Sequence, residues 1–272
     1  MKIVSKFRQF VPESRRIVVK VGTRVLADSL GRPTRSRIES IVSQIAGLKR
    51  AGYEIVLVSS GSIGAGMASL GIKERPKSVP DLQMCAAVGQ ARLISMYEEV
   101  ALASKLKIGQ MLLTYDDFSS RIRTGNARRT MEHLLRSGVL PIVNENDVVA
   151  DEEIKAYLSL GDNDYLAALV VKLIRADLLV ILSTVDGLLD MSAAKPRRIP
   201  CVQKLDKATF ALVAPPHAGG ISKGGMDSKL RAALLASKAG CSVIIADGRK
   251  SGRLADAVAG KDVGTIIPGS TI

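Results

Sequence analysis

The chain has 272 residues, 47% apolar and 24% charged, which is enough to bury a sizeable core in one large α/β domain or in two lobes. Aromatic residues make up only 3%, with no Trp, which argues against a carbohydrate-stacking surface or an aromatic platform for single-stranded nucleic acid. The net charge of +13 calls for anionic partners, but its basic residues are scattered (Arg15-Arg16, Arg35, Arg37, Arg121, Arg123, Arg128-Arg129, Arg197-Arg198), so small anions are expected and nucleic acid is not.

Residues 1–16 lack the apolar run of a signal peptide. Residues 17–21, Ile-Val-Val-Lys-Val, predict a buried strand stopped by Gly22. Lys20 in that strand is costly to bury unless its ammonium meets an anion; the plain alternative is an edge lysine reaching solvent. Residues 34–50 have helical spacing, with Ile38, Ile41, Val42, Ile45 and Leu48 on one face and Gly52 as the stop. Residues 54–59 read as a second strand that runs into Ser60-Gly61-Ser62-Ile63-Gly64-Ala65-Gly66. A strand feeding a glycine-rich turn and then a helix forms an anion cradle, although such turns also serve ordinary strand-to-helix packing.

Residues 81–105 predict a long helix whose small residues allow close packing, 107–114 a third strand, 126–136 a helix, and 139–143 a fourth strand. Residues 148–160 read as a hairpin or lid, 164–175 as an amphipathic helix and 178–183 as a fifth strand. The basic, proline-containing stretch 191–199 is expected as loop, 204–213 as a short helix and 217–225 as a glycine-rich segment. A helix over 226–239, a strand over 241–246 and an edge strand over 263–267 complete the chain. Residues 167–182 form the longest apolar region, but Lys172, Arg175 and Asp177 interrupt it, so no membrane span is expected. Cys85, Cys201 and Cys241 are odd in number and far apart, which suits a reducing, cytoplasmic compartment. The alternation of strands and helices predicts an α/β protein with a mainly parallel sheet.

Two polar tetrads stand out: Asn144-Glu145-Asn146-Asp147, at the carboxyl end of the fourth strand, and Gly161-Asp162-Asn163-Asp164, at a helix start. Either alone is an ordinary turn or cap. Ligands in open α/β sheets, however, lie at carboxyl strand ends. Neither a P-loop nor a dinucleotide-binding glycine fingerprint is present, nor a Gly-x-Ser-x-Gly elbow. Two glycine-rich helix starts, Lys20, Lys229 and the carboxylates Asp147, Asp162 and Asp164 remain. Positive charge aimed at a moving phosphoryl group, with a carboxylate to hold it, is the inventory of a metal-assisted phosphotransferase.

The segments Val-Val-Lys-Val-Gly-Thr (18–23), Ser-Ser-Gly-Ser-Ile-Gly-Ala-Gly (59–66), Ala-Ala-Val-Gly-Gln (86–90) and Gly-Gln-Met-Leu-Leu-Thr (109–114) resemble the glutamate 5-kinases of the amino acid kinase family. So do Asn-Glu-Asn-Asp (144–147), Gly-Asp-Asn-Asp (161–164) and Gly-Gly-Met-Asp-Ser-Lys-Leu (224–230). The resemblance implies a three-layer αβα sandwich with a mainly parallel central sheet, a glutamate-binding lobe over 1–175 and an ATP-binding lobe over 176–272, with no RNA-modification-type (PUA) domain. It implies ATP-dependent phosphorylation of the γ-carboxylate of L-glutamate to L-glutamyl 5-phosphate, the first step of proline synthesis.

By the same resemblance Lys20 and Lys229 flank the transferred phosphoryl group and Asp164 orients them. Ser60, Gly61, Asn144, Asp147 and Asn163 hold glutamate. Lys20, Gly22, Ser183, Thr184, Lys223, Gly224, Gly225, Met226, Asp227, Ser228 and Lys229 hold ATP, and Mg²⁺ travels with the nucleotide. Homo-oligomerisation and feedback inhibition by proline are implied as well. The chain departs from the pattern at Ser183-Thr184, where many members have Thr-Asp, at Lys223, where they have Thr, and in a longer stretch between Asp147 and Gly161. The rival readings are a kinase of the same fold acting on acetylglutamate, aspartate, carbamate or UMP, and a basic RNA-binding protein.

Overall fold

The computed structural model describes residues 6–150, 163–190, 196–212 and 225–270. By packing, the chain divides into two compact units, one made of Met1–Lys20 with Glu152–Ile272 and the other of Val21–Asp151. This division differs from lobes meeting at residue 175. Helix Asn163–Ile174 packs on helix Met226–Lys238 and on the strand that follows it, which places it with the C-terminal half of the chain.

In the first unit the strands are ordered β1 (Arg16–Val21), β5 (Leu178–Ser183), β8 (Ser242–Asp247) and β9 (Thr265–Ile267). β5 and β8 run parallel with Leu178 opposite Ser242 and Ser183 opposite Asp247, and β9 is antiparallel to β8. Ile17, Val18 and Val19 of β1, Leu179 to Ile181 of β5 and Val243 to Ala246 of β8 are fully buried. Continuous apolar runs of this kind mark strands covered on both faces. The Asp177 carboxylate accepts from the backbone N–H groups of Arg15 and Arg16, each at 2.8 Å, tying the start of β1 to the start of β5. Two short strands, β6 (Leu189–Asp190) and β7 (Arg197–Arg198), pair antiparallel, the second of them inside the stretch 191–199 expected as loop.

In the second unit the order is β3 (Ile108–Leu113), β4 (Leu140–Glu145) and β2 (Glu54–Val58), all parallel. Helix Arg35–Arg50 buries Ile38, Ile41, Val42 and Ile45, the face expected from its spacing. Helices Ser62–Ser69 and Val79–Ala103 meet backbone to backbone. A Cβ on Gly66 would lie 1.8 Å from the carbonyl oxygen of Cys85, and one on Gly89 would lie 1.8 Å from that of Ser62. Helix Val79–Ala103 starts two residues earlier than predicted because Ser78 caps it, its hydroxyl accepting from the Asp81 N–H at 3.2 Å. Helix Arg121–Arg136 starts five residues before the predicted 126, with Ser120 as its cap. The segment predicted as hairpin or lid lies outside the described residues from 151 on, as does the glycine-rich segment up to 224. Among the described residues no helix is long and apolar enough to cross a membrane. The α/β class and the mainly parallel strands are as the sequence predicts.

Candidate active site

In the first unit, β1 carries Lys20 among β-branched neighbours, and the side chain is 2% exposed. Such burial is tolerated only against a counter-charge, which the first turn of helix Asn163–Ile174 supplies. Asp164, fully buried there, meets Lys20 Nζ through Oδ1 at 2.8 Å and Lys229 Nζ through Oδ2 at 3.0 Å. Lys229 comes from the first turn of helix Met226–Lys238, where Gly225 is the cap residue. The Ser228 hydroxyl beside it lies 2.9 Å from the Gly225 carbonyl and 3.3 Å from Asp164 Oδ2, with one proton to give to either.

Burial alone would raise the Asp164 carboxyl; the two ammonium groups override burial and bring it from 3.8 down to about 2. The cluster sets two ammonium groups around one buried carboxylate, an arrangement that suits receiving an anion. Asn163 stands next to Asp164 at the same helix start and is likewise buried.

A second polar cluster lies at the carboxyl ends of β2 and β4 in the second unit. The Ser59 N–H donates to the Val143 carbonyl at 2.9 Å, which aligns the two strand ends. Ser60 follows, buried, and then Gly61 at φ +112°, a left-handed turn where a Cβ would press on Pro33. That turn launches helix Ser62–Ser69. From the β4 side come Asn144, buried, and the turn at 146–149 with Asp147. Ser62 donates to Asp147 Oδ2 at 3.0 Å, and Asn144 Nδ2 donates to Gln90 Oε1 at 3.0 Å. Ser59 shares a 2.8 Å hydrogen bond with the buried Tyr97 hydroxyl, whose burial pushes the phenol far above its ordinary range. Ser60, Gly61, Asn144 and Asp147 thereby lie at these two strand ends, with three residues the sequence did not single out bonded alongside: Ser62, Gln90 and Tyr97.

The residues predicted around the nucleotide are placed more unevenly. Ser183 ends β5 and accepts from the Gly248 N–H at 2.9 Å; the Thr184 carbonyl accepts from Arg249 Nη2 at 2.7 Å. Arg249 is also paired with Asp247 at the end of β8, and the carboxylate keeps its guanidinium charge firmly on. Arg249 is a cation at a parallel strand end that no sequence motif marks. Gly22 follows β1 and opens the short helix Thr23–Leu26. Met226 lies in the first turn with Lys229, while Asp227 there is exposed and pairs with Arg231 at 2.7 Å. Lys223 and Gly224 lie outside the described residues.

Among the described residues no cluster of three or more His, Cys, Asp or Glu could cage a metal ion. The two lysines around Asp164 repel a bare cation and suit one that arrives on anionic oxygens. Charge, burial and strand-end position together suit stabilising a phosphoryl group in flight, a task needing no protein nucleophile.

Residues 15–247 match the sequence model of the amino acid kinase family. Glutamate 5-kinase of Streptomyces avermitilis is 44% identical over 265 residues, covering 96% of this chain and 69% of that protein. Glutamate 5-kinase of Clostridium tetani is 39% identical over 260 residues, covering 95% of this chain and 96% of that one. Among solved structures, carbamate kinase from Giardia lamblia bound to AMP-PNP superposes with a TM-score of 0.63 over 94% of this chain and 99% of its own, at 18% identity. At that identity the likeness speaks to the fold, an α/β sandwich with a mainly parallel sheet.

Proposed function

We infer the reaction from one premise: this chain belongs to the amino acid kinase family and, within it, to the glutamate 5-kinases. It phosphorylates L-glutamate with ATP. An oxygen of the γ-carboxylate attacks the γ-phosphorus, the bond from that phosphorus to the β–γ bridging oxygen breaks, and ADP leaves with the electron pair. The product, L-glutamyl 5-phosphate, is the acyl phosphate with which proline synthesis begins.

The observation that carries the site assignment is the buried cluster in which Lys20 and Lys229 share the Asp164 carboxylate. In our reading both lysines contact the phosphoryl oxygens, where charge builds up during transfer, and Asp164 fixes the two ammonium groups in place. Asp147 receives the α-ammonium of glutamate. Ser60, Gly61, Asn144 and Asn163 supply hydrogen bonds around the substrate without adding a second negative charge. Gly22, Ser183, Thr184 and the helix start at Gly225, Met226, Asp227, Ser228 and Lys229 serve the nucleotide, with Lys223 and Gly224 leading into it. An ATP-dependent kinase uses a divalent cation; we take it to be Mg²⁺ entering on ATP. Feedback by proline and a homo-oligomeric state belong to the same reading.

An ADP-release assay across L-glutamate, acetylglutamate, aspartate, carbamate and UMP, with hydroxylamine trapping the acyl phosphate, tests it. L-Glutamate is expected to give the highest kcat/KM and a trapped γ-hydroxamate. A higher kcat/KM on any other acceptor overturns the assignment.

A further inference from the structure

Ser62 stands out because its side chain has no local task. It is the first residue of helix Ser62–Ser69, and the cap position before it belongs to Gly61, which has no side chain. The hydroxyl that ordinarily serves a first-turn N–H is that of the cap residue, and the Ser62 hydroxyl lies one position past it. This one, 5% exposed, instead reaches 85 residues along the chain to Asp147 Oδ2 at 3.0 Å. Its direction is set by the backbone: Gly61, at φ +112° and ψ 6° against Pro33, fixes the angle at which the helix leaves β2. Asp147 sits in the turn at 146–149, only partly buried. The Ser62 hydroxyl is one of the groups that fix the orientation of the Asp147 carboxylate.

We propose that Ser62 is a positioning residue for the amino-acid substrate, its hydroxyl holding the Asp147 carboxylate in the orientation that receives the α-ammonium of L-glutamate. This rests on Asp147 being the ammonium-binding group. Ser62 takes one of the roughly four acceptor sites of the carboxylate and leaves acceptor capacity for the ammonium donors. Because the ammonium is not part of the reacting carboxyl, the hydrogen bond strengthens ground-state and transition-state binding alike. Its loss falls on KM rather than on kcat.

The test is steady-state kinetics of the full chain at saturating Mg–ATP, varying L-glutamate, for wild type, S62A, S62T, D147A and the S62A/D147A double variant. Removing one hydrogen bond to a charged group raises the glutamate KM of S62A about tenfold, with kcat within about twofold of wild type. S62T keeps the hydroxyl and is expected to restore most of the loss. In the D147A background S62A changes KM no further, since the group it positions is gone. A KM for S62A within about twofold of wild type while D147A is strongly raised leaves the site reading intact and overturns the role of Ser62. A further rise in the double variant also overturns it, because Ser62 would then act independently. If D147A itself leaves KM unchanged, the site reading and the positioning role fall together. A loss confined to kcat overturns the positioning role as well.

Discussion

Lys229 and Lys20 face one carboxylate from two elements, and removing either should expose how the transfer step depends on buried charge. Lys229→Ala is expected to lower kcat by at least about a hundredfold, the scale of one charge-stabilising group in a water-excluded site, while glutamate KM moves only a few-fold. Steady-state kinetics with both substrates varied checks this, and near wild-type kcat would remove Lys229 from the chemistry. Asp164 carries a second expectation, about stability. Its folded pKa, about 2, lies below the ordinary 3.8, so the ionised form is the one the fold favours. The contribution is therefore complete above about pH 5 and is lost as pH falls from about 4 through 2. Urea melts of wild type and Asp164→Asn should differ by about 3 kcal/mol near pH 6, because the variant removes the carboxylate that two buried ammonium groups share. The gap should narrow steadily below pH 4, and a pH-independent gap would mean that the ion pairs are not its source. Lys20 was conspicuous from sequence alone, as a charge inside a β-branched run that either meets an anion or reaches solvent at an edge. Its partners Asp164 and Lys229, far along the chain from it and from one another, came only through the family resemblance, because no local pattern ties them to Lys20. Ser62 escaped for the same reason, its partner being 85 residues away.

Helix Ser62–Ser69 depends on its neighbour for its place, and glycine is what lets the two backbones touch. A methyl group at Gly66 or Gly89 would overlap a carbonyl oxygen of the facing helix, with no flexible side chain to yield. Gly66→Ala is expected to destabilise by about 3 kcal/mol, the upper range of overpacking, and to raise glutamate KM because the helix start at Ser62 moves with it. Gly47 is the contrasting case, in the middle of helix Arg35–Arg50 with open space where a Cβ would go. Gly47→Ala should stabilise by about 0.5–1 kcal/mol through helix propensity and a stiffer unfolded chain. Urea denaturation of the two variants separates the cases, and equal signs would contradict this account of the helix contact. The strands and long helices were readable because apolar periodicity extends over their whole length. Helix starts were less so, since Ser78 and Ser120 cap from positions where serine could equally sit in a loop. The pairing of Leu189–Asp190 with Arg197–Arg198 is too short for any periodicity to show.

Across the whole molecule the excess of 39 basic over 26 acidic residues is not gathered into one face that the sequence marks. Part of it is consumed structurally. Arg8, nearly buried, donates to the carbonyls of Lys261, Val263 and Gly264 and so ties the N-terminal segment to the far end of its own unit. Scattered charge of one sign still acts at a distance, because it raises the potential that an approaching anion meets. Both Mg–ATP and L-glutamate carry net negative charge, so the +13 should speed their capture rather than the chemical step. Screening then supplies the test, since the Debye length falls from about 30 Å at 0.01 M salt to about 3 Å at 1 M. Raising KCl from about 0.02 M to 0.5 M is expected to lower kcat/KM for Mg–ATP severalfold with kcat little changed, because long-range attraction is screened while the buried pairs at Asp164 are not. Glucose at matched viscosity controls for diffusion. A flat kcat/KM would show that the charge does not steer substrates, and a matching fall in kcat would place the salt effect inside the site.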